Sequence, residues 1–268
     1  MSNSAKRLLR ILEEGKAENI NKDAPCQQVW VKLLNVPKDD DVLLLSRIGK
    51  TMALIGEVEE ELNALGKVNV DSLLGWLPSI KEAFSNQQLK SPWATFINLI
   101  DEHTINYLNN ASDILDMSKS QKGFDIGNIL GLSDSISDLL SEILESDLPS
   151  HVKLFMSSKL REIQLALDEY HITGSGPIVE AVESFVGHVI LHQDLKQDSA
   201  GNDIADKFWG FMGKLLIATT ITVNGLLISN EVKKYFPPAV IIELENGLPE
   251  KKELENNSKV ENIKLASK

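Results

Sequence analysis

The chain has 268 residues, a formal net charge of −12 and an isoelectric point near 4.9. That length can bury one large core or two small ones, and an apolar fraction of 43% excludes wholesale disorder. The acid excess repels phosphate backbones and the 6% aromatic content is poor for base stacking, so direct nucleic-acid binding is disfavoured and a basic protein partner is favoured.

At the N-terminus, Lys6, Arg7 and Arg10 accompany Leu8, Leu9, Ile11 and Leu12, and Glu13 and Glu14 follow at once. The apolar run is too short for a signal peptide and no small-residue cleavage site follows, so the expected location is the cytoplasm. Ser4 is instead read as the cap of a first helix. Cys26 is the only cysteine, so no intrachain disulfide can form. Its place at a helix start beside Pro25 allows either a lowered thiol pKa or plain packing.

Val29, Trp30, Leu33 and Leu34 form a short helical stretch closed by Pro37. Asp39 to Asp41 then open a long helix with Leu44, Ile48, Met52, Ile55, Val58, Leu62 and Leu65 on one face and Gly66 as its stop. A helix over 71–84 is split or kinked by Pro78. Ser91-Pro92 starts another, carrying Trp93, Phe96, Ile97, Ile100, Ile105, Leu108, Ile114 and Leu115. The stretch 118–123 reads as a loop and a subdomain boundary. Ser133 or Ser135 caps a helix with Ile136, Leu139, Leu140, Ile143 and Leu144, closed by Pro149. Ser150 opens the next, with Val152, Leu154, Phe155, Leu160, Ile163 and Leu167. After a turn at 171–177 come Ile178, Val182, Phe185, Val189 and Ile190, then a loop over 196–203.

The spacing predicts an all-α protein, a bundle of about eight or nine helices with a hydrophobic C-terminal helix and a disordered tail. The expected organisation is an N-terminal helical region over 1–117, a second over 124–196 packed on the first, a hydrophobic helix over 203–236, and a flexible tail over 237–268.

No catalytic motif is complete. Gly49-Lys50-Thr51 resembles the end of a phosphate loop, but Leu44 stands where the first glycine belongs and the triplet lies within a helical pattern. Neither GxSxG nor GxGxxG occurs. Asp101, Glu102 and His103 lack the ExxH spacing of a di-iron bundle. His188 and His192 are spaced i, i+4 and share a helix face, with Glu180, Glu183 and Asp194 near in sequence; they are weak metal-ligand candidates, set against a solvated helix end. Trp30, Trp76, Trp93 and Trp209 are core anchors or, in one or two cases, a patch for a partner. No cofactor is expected.

The segment around Phe208, Trp209, Lys214, Leu215, Leu216, Ile217, Ile221, Val223, Leu226, Leu227 and Ile228 has three readings. It is long enough to cross a bilayer. It is also asymmetric, with Lys214, Thr222, Gly225 and Ser229 on one side, which suits a helix packed on a domain. Asn224-Gly225 is a hairpin signal.

These features point first to a non-enzymatic, cytoplasmic, prokaryotic interaction or regulatory protein that binds a protein partner, with basic partners favoured. The alternative is a membrane-acting effector anchored in the inner membrane by the segment at 208–228. The third reading is a metal-dependent enzyme centred on His188 and His192.

Overall fold

A computed structural model describes residues 3–66, 69–118 and 133–222. Among the described residues every regular element is a helix, apart from one isolated bridge between Pro25 and Pro92. The helices are α1 (Ser4–Lys16), α2 (Cys26–Leu33), α3 (Asp41–Asn63), α4 (Val70–Leu73), α5 (Leu77–Ser85), α6 (Ala94–Ile97), α7 (Glu102–Ser118), α8 (Ser133–Glu145), α9 (Ser150–Asp168), α10 (Tyr170–Thr173), α11 (Gly176–Leu191), α12 (Asp194–Gln197) and α13 (Asp203–Thr222). Four of these are single turns, α4, α6, α10 and α12, which sequence periodicity does not register. Ser118, expected to open a loop over 118–123, instead closes α7; the rest of that loop, the Asn224-Gly225 turn, Val223, Leu226, Leu227, Ile228 and the tail at 237–268 lie outside the described residues.

Several boundaries differ from expectation for local reasons. Asn3 caps α1, accepting a hydrogen bond from the Lys6 amide at 2.8 Å, one residue before the expected Ser4. The single helix expected after Ser91-Pro92 is two, because Asp101 accepts bonds from both the amide and the hydroxyl of Thr104 at 2.7 Å and so starts α7 anew. Those bonds hold the Asp101 carboxyl below its ordinary pKa. Pro78 sits in the first turn of α5, where its missing N–H leaves no bond unmade.

The chain forms two compact units. The first comprises Met1–Lys122 and Leu165–Pro177, the second Gly123–Gln164 and Ile178–Lys268. The sequence pattern divides the chain in linear order, whereas the segment from Leu165 to Pro177 groups with the first unit.

In the first unit α1 lies against α3 and α7, and Ala5, Leu8, Leu9, Ile11 and Leu12 are all buried. Beneath it, Trp30, Phe84, Trp93 and Phe96 form an aromatic cluster with ring centroids 4.8–5.9 Å apart. Trp93 packs on the last turn of α1 and donates its indole N–H to the Gly15 carbonyl at 2.8 Å. The returning turn α10 is tied to α1 and α3 by charge. Arg7 Nε donates to the Ile172 carbonyl and its Nη2 to Glu57, both at 2.8 Å. Buried Glu169 faces Arg47 at 3.5 Å and also binds Lys50. Arg47 is buried too, and its Nη1 donates to the carbonyls of Leu34 and Asn35.

The second unit is built on Phe155, Phe185, Phe208 and Trp209, whose rings meet at 5.5–6.1 Å. Helix α13 covers the described part of the ambiguous hydrophobic segment. Phe208, Trp209, Phe211, Met212, Leu215 and Leu216 are buried, while Lys214 is exposed and Ile217 half-buried. Thr219 is also buried, and its hydroxyl donates to the Leu215 carbonyl at 2.9 Å, so burial leaves it satisfied. A strand from Gly213 toward Asn224 is therefore excluded through Thr222, since those residues are helical. Among the described residues no helix is long and apolar enough to cross a membrane.

Candidate functional site

Two surface features stand out, one in each unit. The first is a face of α3. Core positions on this helix run through Leu44, Ile48, Thr51, Leu54, Ile55, Val58 and Leu62. Met52, expected among them, lies eight residues beyond Leu44, ~80° further round the helix. Thr51 takes the inward place and donates its hydroxyl to the Arg47 carbonyl at 2.9 Å. Met52 is instead 42% exposed, and joins Val42 at 82% and Leu45 at 57% on the outer face. Ser46, Gly49, Ala53 and Gly56 complete that face, all exposed. From Val42 to Gly56 the helix carries two charges, and neither interrupts the stripe: Arg47 is buried and Lys50 is turned to Glu169. The result is an uncharged strip ~21 Å long on a chain that is 25% charged. Acids bracket it, with Asp39, Asp40 and Asp41 before and Glu57 and Glu60 after, all exposed.

The second feature is a cleft of about 420 Å³ in the second unit. His151, Leu154, Lys159, His188, His192 and Asp194 are among its lining residues. His151 lies in the first turn of α9. Asp194 opens α12, and Asp198 caps its end, donating its backbone N–H to the Asp194 carbonyl at 2.8 Å. One helical turn thus sets the two carboxylates four residues apart on the same side. His151 Nε2 lies 2.9 Å from Asp198 Oδ2, and the ligand atoms of His151, Asp194 and Asp198 all lie within 4.8 Å of one another.

His188 and His192 stack on each other with ring centroids 4.5 Å apart, and His188 also stacks on Phe155 at 4.9 Å. Partial desolvation of the otherwise exposed His188 imidazole holds it below its ordinary pKa, with the neighbouring His192 and Lys159 adding to the effect. Lys159 itself is engaged by Glu162 at 2.9 Å and Ser184 at 3.0 Å.

The residues expected from sequence thus fall in different places. His188, His192 and Asp194 line one cleft. Glu180 and Glu183, on the helix that carries His188, are exposed but absent from its lining. Among the described residues no third ligand joins His188 and His192 within 4.8 Å. His151 and Asp198 escaped the sequence reading. The i, i+4 spacing of Asp194 and Asp198 was there to find, whereas nothing in the sequence linked them to His151.

Burial decides three further readings and corrects one of them. All four tryptophans are buried to 1% exposure or less, so none forms a patch for a partner. Leu144, Leu154 and Ile190, read as core, are exposed. Cys26 is fully buried, and that burial pushes its thiol pKa up rather than down. Gly49-Lys50-Thr51 is continuous helix and offers no loop of amides for a phosphate.

No protein-family model matches the chain, and neither does any curated protein or solved structure.

Proposed function

We propose that this chain is a non-enzymatic cytoplasmic interaction protein that docks a helix of a basic protein partner along the outer face of α3. The uncharged strip from Val42 to Gly56 carries the reading. A solvated helix face in so charged a chain ordinarily displays Lys and Glu, and an exposed apolar strip with a polar rim marks a contact surface. Gly49 and Gly56 lower the surface on either side of Met52. A Cβ placed on either would meet nothing within 4 Å, so a partner helix can approach the backbone closely there.

Charge complementarity selects the partner. Acids stand at both ends of the strip, so a second copy of this chain would bring acid against acid in either orientation. A helix with an apolar seam flanked by Lys and Arg meets complementary charge at both ends.

A photo-cross-linking residue placed at Met52 in cells tests the reading, with the same residue at exposed Glu82 as control. The expected result is a discrete adduct from position 52 with a protein whose cross-linked segment is a basic amphipathic helix. Leu45→Glu should remove that adduct while leaving thermal stability within about 0.5 kcal/mol of wild type, as exposed substitutions usually do. Identical adducts from both positions, or an adduct indifferent to Leu45→Glu, would sink the proposal.

A further inference from the structure

We infer that His151, Asp194 and Asp198 form a binding site for a divalent transition metal, with zinc the ion that best suits one imidazole and two carboxylates. The inference is independent of the docking face on α3. Zinc binds His nitrogen and Asp oxygen at about 2.0–2.2 Å, and tetrahedral geometry then sets ligand atoms roughly 3.4 Å apart. The three ligand atoms here already lie within 4.8 Å of one another. Small torsions of three exposed side chains close the remaining distance without backbone movement.

The backbone beneath the ligands is held in place. Leu195, between the two aspartates in sequence, is buried. Lys196 stacks its ammonium over the Trp209 ring at 4.8 Å. Ser199, one residue past Asp198, is buried and accepts the Trp209 indole N–H at 3.2 Å. The turn carrying both carboxylates is therefore anchored to the aromatic core of its unit, and the ligands need little ordering on binding.

The electrostatics favour a cation. Two carboxylates at this separation repel each other. Lys196 and Lys159, the nearby cations, are engaged by Trp209 and by Glu162 with Ser184. His151 presents Nε2 to Asp198 Oδ2 at 2.9 Å, and a metal ion bound among the three ligands neutralises both acids. Three protein ligands leave zinc a further coordination position. His151 and Asp194 line the cleft shared with His188 and His192, so two more imidazoles stand in the same cleft.

Isothermal titration of the full-length chain with zinc chloride tests the site, using His151→Gln, Asp198→Asn and the double variant His188→Gln/His192→Gln. All these side chains are exposed, and far-UV circular dichroism checks that each variant is folded. The expected result is one zinc per chain. His151→Gln and Asp198→Asn should each weaken binding by more than about tenfold, a loss that even outer-shell substitutions produce, and the double variant should weaken it less. Absence of saturable binding overturns the inference. So does binding that survives His151→Gln but is lost in the double variant, which would assign the metal to the stacked histidine pair.

Discussion

At the scale of single residues, the most exposed dependency is Glu169. It is buried, and it answers the buried Arg47 guanidinium and the half-exposed Lys50. In Glu169→Ala, Lys50 can return to water but Arg47 cannot, so an uncompensated charge stays inside the first unit. Breaking a buried pair in this way costs about 3 kcal/mol, at the low end of its range because two carbonyls still receive Arg47 Nη1. Urea unfolding measures the loss, and a change under about 1 kcal/mol would show that the pair is solvated. His171 gives a pH signature. Burial lowers its pKa from 6.5, and the nearby Arg47 lowers it further, against a partly offsetting hydrogen bond to the Asp168 backbone. The folded state therefore binds a proton less readily than the unfolded state. Stability should fall as pH drops from about 6.5 toward the lower folded value. His171→Gln should flatten the urea midpoint between pH 7.5 and 5.5 relative to wild type. Parallel slopes would assign the dependence to other groups.

At the scale of elements, two helical glycines separate packing from propensity. Alanine favours a helix interior over glycine by about 1 kcal/mol. At Gly49 nothing lies within 4 Å of an added Cβ, so Gly49→Ala should stabilise the isolated chain by up to that amount. The same methyl rises into the strip on α3, so docking should weaken as stability improves. At Gly15 the added Cβ would sit 2.8 Å from Trp93 Cζ2. That ring is fully buried and bonded to the Gly15 carbonyl, so it has no room to retreat. Gly15→Ala should destabilise by about 1–3 kcal/mol, as overpacking does. Thermal or urea unfolding of the two variants should move in opposite directions. Movement in the same direction would show that helix propensity alone governs both sites. Helix boundaries follow the same local chemistry: Asp101 and Pro78 break long apolar patterns because a carboxylate can cap amides and a proline has none to offer.

At the scale of the whole molecule, α13 bears on location. Its large apolar side chains from Phe208 to Leu216 are buried in the second unit and Lys214 faces water, which leaves the described part of α13 no continuous apolar surface to offer a bilayer. In fractionated cells, untagged protein should therefore stay in the soluble fraction, and any membrane-associated pool should be released by alkaline carbonate. Retention in the washed membranes would favour a membrane-acting role for this chain.

Much of this protein was legible in its sequence. Helical periodicity reports which side of a helix avoids water, so the all-α class and the long α3 could be read directly, while the segment holding Leu215 and Leu216 stayed open between helix and hairpin. Proline and glycine signals marked α5 and the positive-φ stop at Gly66. Other features were decided by tertiary contact. A period of 3.6 cannot say where the core stops, so Met52, Leu144 and Leu154 looked buried and are not. Contact between distant segments leaves no periodic trace. Residues 165–177 join the first unit through Arg7, Arg47 and Lys50, and His151 meets Asp194 and Asp198 from more than forty residues away. Local patterning determined which residues avoid water. Chain return determined which polar residues meet, and both the buried charges and the metal-ligating trio depend on that second kind of information.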